Sequence, residues 1–234
     1  MNSDYYLSQK SKLLKDFDRE AKRMKTVLVS RYGSEFTELI LMDARQEFEM
    51  FIPKVPYVGG NKNRLTRSLI GAVQCLALYR ALKTHGKALE EAGRIIYEYI
   101  EESLSSLPRP MRLGLRIAWL ITFTRFGKKF FRSQAEQSQK HLYPQDWVYH
   151  YVEGDGMDFN FGIDMEECCV CKLFDSLGDS ELTPFVCLFD FPFSRLANSG
   201  LVRTTTLAEG GDKCDFRYKR GREVSQGWPS ESFK

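Results

Sequence analysis

Apolar residues recur at helical spacing over the first 140 residues and alternate with polar ones over much of the rest. Between residues 4 and 31, Leu13, Leu14, Phe17, Ala21, Met24 and Leu28 are separated by Lys, Arg and Asp, which predicts an amphipathic helix. Tyr32-Gly33-Ser34 reads as a stop and a start, with Gly33 a left-handed cap and Ser34 the next N-cap. A second helix over 35–51 is expected to bury Phe36, Leu39, Ile40, Phe48 and Phe51. The prolines and glycines of residues 51–63, FIPKVPYVGGNKN, forbid a helix, yet Ile52, Val55, Tyr57 and Val58 are too apolar for a plain linker. The loop is either a connector plugging the core or a pocket wall offering Tyr57 and the N–H groups of Gly59 and Gly60 to a ligand. Residues 64–83 and 88–104 predict an antiparallel helical pair, with His85 as a capping cation at the first helix's C-terminus. Pro108 and Pro110 break the chain before MRLGLRIAWLITFTRF, which predicts a more apolar, buried helix. Lys128, Lys129 and Arg132 after it read as a solvated basic end, and residues 133–140 as polar helix or loop.

From Pro144 the period becomes two. Residues 146–164 predict a hairpin around Gly154-Asp155-Gly156, with His150 on a strand either as a packed histidine or as a base. A helix over 166–177 puts Cys168 and Cys171 on one face. Thr183-Pro184 opens another that carries Cys187 and Asp190 together until Pro192 kinks or ends it. Residues 201–221, LVRTTTLAEGGDKCDFRYKRG, predict a second hairpin turning at Gly210-Gly211. With a two-residue loop, Thr206 faces Asp215 and Thr204 faces Arg217. Cys214, Phe216 and Tyr218 then share one face, with Asp215 and Arg217 on the other. The expected fold is α+β: a helical part over 1–143 packed on an antiparallel sheet of two hairpins with intervening helices over 144–221, and a loose polar tail over 222–234, all one domain.

Composition narrows the chemistry. The chain has 234 residues, 43% of them apolar, enough for a substantial core. A net charge of +3 is too small to point to nucleic acid or an anionic membrane. The polar N-terminus shows no signal peptide, and the most apolar run, 117–123, is too short to span a bilayer, so a cytoplasmic location is the default expectation. Six cysteines fall almost wholly in the last third, which suggests reduced thiols, a metal or catalysis before disulfides. A zinc site from Cys168 or Cys169 with Cys187 and Cys214 is one option, although no paired zinc motif is present.

Four pieces together resemble a known family: IPKVPYVGGNKN; DWVYHYVEGDGMDFNFGIDMEEC; CLFD, with Cys187 and Asp190; and RTTTLAEGGDKCDFR. They resemble the L-2-amino-thiazoline-4-carboxylic acid hydrolases, from about residue 50 to 220. The resemblance implies a hydrolase that opens a cyclic isothiourea bearing a carboxylate, on a route from a thiazoline to cysteine; no cofactor is expected, with the zinc site above as the alternative. Such chemistry needs a nucleophile at the amidine-like carbon and an acid near the ring nitrogen. Cys214 is the first candidate nucleophile, with Asp190 or Asp215 holding the amidinium and Arg217 clamping the substrate carboxylate. Thr206, Tyr57, Gly59, Gly60 and His150 complete the candidate binding set. Strand alternation points Asp215 and Arg217 away from Cys214, which leaves Cys187 with Asp190, or an activated water, as alternatives. The expected partner is a small carboxylate-bearing substrate; a homo-oligomer is compatible with the sequence.

Overall fold

Leu13, Phe17, Met24 and Leu28 lie buried along one stripe, as their spacing requires, and the ring of Phe17 stacks on Phe48 at 5.1 Å. The computed structural model describes residues 3–228, so the end of the polar tail lies outside the described residues. The chain forms two compact units, each from two stretches: 1–102 with 172–186, and 103–171 with 187–234.

In the first unit the N-terminal helix divides at Gln9 into α1 (Ser3–Ser8) and α2 (Lys10–Tyr32), followed by α3 (Ser34–Phe51), α4 (Thr66–Thr84) and α5 (Leu89–Ser105). Gly33 has φ 77° and ψ 172°, outside the left-handed helical basin, and itself serves as the N-cap of α3. Ser34 is therefore the first helical residue, and Thr37 Oγ1 donates to the Gly33 carbonyl at 2.7 Å. The buried stripe of α3 runs through Ile40, Ala44, Phe48 and Phe51, while Leu39 is exposed and Phe36 half-buried, because the stripe is rotated toward Thr37 and Leu41.

α4 is buried on nearly every side, and its principal partner is α3. α5 reaches α2, where Tyr99 Oη donates to Glu20 at 2.8 Å and Arg31 pairs with Glu98 at 2.8 Å. Gly93 of α5 lies against the Phe185 ring so closely that a Cβ would overlap it. Residues 172–186 are tied in by Arg80, which pairs with the buried Asp179 at 2.6 Å and donates to the Leu177 carbonyl at 2.8 Å. His85 caps α4, and its Nε2 meets Asp43 at 2.7 Å. The 51–63 loop forms two single 3-10 turns and buries Ile52, Val55 and Val58.

The second unit holds α6 (Arg109–Thr122), α7 (Arg125–Ser138) and a sheet of β1 (Val148–Glu153), β2 (Phe161–Glu167), β3 (Leu201–Val202) and β4 (Cys214–Tyr218). Strand order is β1-β2-β4-β3, antiparallel throughout. The first hairpin forms as expected, its turn held by Asp155 Oδ1, which accepts the N–H groups of Met157 and Asp158. An aromatic cluster binds α6 and α7 to the sheet: Phe161 lies 5.0 Å from Tyr218 and 5.4 Å from Phe131, and Trp119 lies 5.2 Å from Tyr218. The expectation that α6 is buried is not met. None of its residues is buried, since only the Trp119 side of the helix touches the sheet.

Candidate active site

The connection before β4 decides where the candidate side chains fall. Leu201 pairs with Tyr218 and Val202 with Arg217, after which the ladder stops. Continued, this register sets Thr204 beside Asp215 rather than Arg217. Asp215 Oδ2 accepts the Thr204 hydroxyl at 2.6 Å, and Oδ1 accepts the N–H groups of Thr204 and Thr205 at 2.7 and 2.8 Å. The two-residue hairpin is therefore replaced by a longer connection containing a 3-10 turn at Leu207–Glu209. Threonine and aspartate side chains bond the local backbone in place of a strand ladder. Thr206, buried, caps that turn: its Oγ1 accepts the Glu209 N–H at 3.1 Å and donates to the Glu209 carboxylate at 2.7 Å.

Alternation on β4 holds as expected, and it separates the candidates. Arg217 reaches Asp164 of β2 at 2.7 Å, across Gly162, whose absent side chain leaves it room. Lys213 shares the same carboxylate. Burial works against charge on Asp164, but the two cations hold its carboxyl below the ordinary range. Arg217 and Asp215 are thus both engaged within the sheet and its loop. His150 is exposed rather than packed, its Nε2 3.2 Å from Glu166. Tyr57, Gly59 and Gly60 belong to the first unit, where the Tyr57 ring lies 5.0 Å from Tyr5 and Gly60, at φ 56°, meets the same Tyr5 ring. Asn61 N–H donates to the Tyr5 hydroxyl at 3.1 Å.

On the other side of β4 a different arginine organises the site. Arg203 is 5% exposed; its Nη1 donates to Asp190 Oδ2 at 2.6 Å and its Nη2 to the Cys187 carbonyl at 2.9 Å. The guanidinium lies between two rings, 5.1 Å from Phe191 and 5.2 Å from Phe216. Burial opposes its charge, but Asp190 more than restores it. Burial also raises the Asp190 carboxyl, with Arg203 pulling the other way, although the side chain remains 45% accessible. The carboxyl, held by Arg203 through one oxygen, is still within reach of a small molecule.

Cys187 and Asp190 do not share a helix. α9 (Thr183–Cys187) ends and α10 (Asp190–Ala197) begins between them, with Pro192 in the first turn of α10, where its missing N–H costs no helical bond. Arg203 reunites the two residues from outside.

A second difference concerns Cys168. β2 runs on to Glu167, and the next helix, α8 (Cys169–Leu177), starts later than its periodicity suggests. Cys168 therefore occupies the N-cap position instead of a helical face. Its sulfur accepts from the Cys171 thiol, from the N–H groups of Val170 and Cys171, and from the Trp147 side chain. The Cys171 thiol is the largest influence; together these bonds outweigh burial, and Cys168 is lowered to about 7. Cys171, whose proton that bond uses, is raised. Burial pushes the Cys214 thiol up to about 11, although its sulfur accepts the Leu207 N–H at 3.3 Å. Burial likewise raises Cys187 well above the ordinary range. Charge on Cys168 is felt by Cys171, Cys187 and Cys214, and charge on Asp190 and Arg203 by the latter two, so the groups lie within electrostatic range of one another. Among the described residues no three His, Cys, Asp or Glu side chains are disposed to hold a metal ion.

Arg203 and the special setting of Cys168 escape a reading by periodicity. Arg203 sits in a β-prone run, where an arginine looks like a solvent-facing alternate. The signal for Cys168 was the doubled carboxylate Glu166-Glu167, which continues a strand as readily as it opens a helix.

No curated protein and no solved structure matches the chain. The family model described as L-2-amino-thiazoline-4-carboxylic acid hydrolase matches residues 67–218, from α4 through the end of β4, and so leaves out the 51–63 loop. That span is well over half of the chain and takes in Cys168, Asp190, Arg203 and Cys214: the chain belongs to the L-2-amino-thiazoline-4-carboxylic acid hydrolase family.

Proposed function

We propose that the second unit hydrolyses a small carboxylate-bearing thiazoline-type ring, as in opening 2-amino-thiazoline-4-carboxylate to a carbamoyl-cysteine, with Cys168 as the nucleophile. Family membership supports the hydrolase class. The observation that carries the choice of residue is the hydrogen bonding of Cys168, which favours thiolate where Cys187 and Cys214 are held as thiols. The thiolate adds to the ring carbon between sulfur and nitrogen. Asp190, whose Oδ2 is bound by Arg203, meets the amidinium with its other oxygen as a carboxylate and stabilises the protonated, electrophilic ring. The carbon–sulfur bond of the ring then breaks, and the freed sulfur leaves with a proton. Water attacks the resulting enzyme-bound isothiourea, expels the Cys168 thiolate and leaves the carbamoyl product.

Incubation of the purified chain with 2-amino-thiazoline-4-carboxylate, with product followed by chromatography, tests this. Turnover is expected, with Cys168→Ser lowering kcat/KM by about a hundredfold or more and Cys214→Ser by much less. Loss of activity in Cys214→Ser with Cys168→Ser intact would return the nucleophile to β4. A folded protein inactive on this and related heterocycles would reject the ring-opening assignment.

A further inference from the structure

α6 is an amphipathic helix turned inside out. Its sheet-facing side carries Trp119 and Thr122, while Leu113, Ile117, Leu120 and Ile121 recur at helical spacing on the opposite side, 59%, 50%, 42% and 54% exposed. Phe126, at the start of α7, is 84% exposed, and Phe130 one turn later is 38% exposed. Stretches of apolar surface on this scale mark an interaction face.

The charge around this face is one-sided. Residues 103–135 contain seven Arg and Lys and no Asp or Glu, more positive charge than the net +3 of the whole chain, so the remainder is net acidic. Lys128 and Arg132 both turn to Glu153, and Arg116 donates to the Leu196 carbonyl. Arg109, Arg112, Arg125 and Lys129 make no ion pair among the described residues. Two copies meeting through this face would press cations against cations. An acidic headgroup layer over an acyl interior answers both features, since apolar side chains enter the layer while Arg and Lys reach back to the anions. No helix of the described residues is long and apolar enough to cross a membrane, so the contact lies along the surface.

We propose that the outward face of α6 and the start of α7 docks this protein on an anionic lipid surface. This does not depend on the chemistry assigned to Cys168. The test uses the full chain, sedimented with phosphatidylcholine vesicles and with phosphatidylcholine vesicles containing phosphatidylserine. Binding to the mixed vesicles is expected to exceed binding to the neutral ones by about tenfold or more and to fall as salt rises. Ile117→Asp combined with Phe126→Ser, and separately Arg125→Glu with Lys129→Glu, are each expected to cut that binding about tenfold with Tm unchanged, since all four residues are exposed. No preference for the mixed vesicles, or binding that survives both variants, overturns the proposal. So does a concentration-dependent dimer that dissociates on Ile117→Asp without any vesicle binding, which would assign the face to a second copy. Retention of a protein partner in place of vesicles would overturn it as well.

Discussion

The two units are held together by different means. In the first, apolar packing of α2, α3 and α4 supplies the interior, most ion pairs, such as Arg31–Glu98 and Lys10–Glu49, stand at the surface, and Arg80, though paired with the buried Asp179, stays partly exposed. In the second, a guanidinium is buried between two aromatic rings and satisfied by one carboxylate and one carbonyl. A packed apolar interior offers reacting groups no charged partner, whereas a buried polar pair sets a charge beside its neighbours at the expense of fragility. The contrast teaches where reactivity can reside: burial alone leaves Cys75 of the first unit an inert, strongly raised thiol, whereas around the Arg203 pair shifted thiols and a carboxyl lie beside a charge.

Matched substitutions put the contrast under its hardest strain. Phe48→Ala is expected to destabilise by about 3–5 kcal/mol through the cavity beside Phe17, and Arg203→Met, which leaves the partly accessible Asp190 and the Cys187 carbonyl without their donor, by about 1–3 kcal/mol. Denaturant melts would read both, but only the arginine variant should also lose turnover under conditions where it remains folded. If Phe48→Ala abolished activity while folded, the division of labour between the units would fail.

A smaller effect concerns pH. Cys168 is lowered to about 7, and its reactive form is the deprotonated one, so kcat/KM should rise with pH through about 7 and then level off. A profile climbing only near 11 would point to Cys214 instead. The smallest change is expected at the surface: Arg31→Ala should cost less than about 1 kcal/mol in a thermal melt, because both members of its pair are partly exposed.

Much of the architecture could be read before any coordinates. Periodicity located the helices of the first unit, the turn residues around Asp155 located the first hairpin, and alternation sorted β4 into its two faces. What escaped was set by side chains competing with backbone patterns. Threonines 204 to 206 prefer Asp215 and Glu209 to a strand ladder, which shifts the register and brings Arg203 rather than Arg217 to the cysteines. A helix starting one residue after Cys168 turns a sulfur on a helical face into one bound by two N–H groups. α6 misleads for the opposite reason: its period is right, but composition alone does not say whether an apolar stripe faces inward.

The chain leaves the second unit after Cys171 and comes back at Cys187, having lent residues 172–186 to the first. Neither unit can therefore be cut free as one continuous fragment. Excising residues 103–234 would carry along a foreign insert stripped of the helices it packs with, so expression of that stretch by simple truncation is expected to yield insoluble product. A permuted gene, or two pieces supplied together, is the practical way to dissect this molecule.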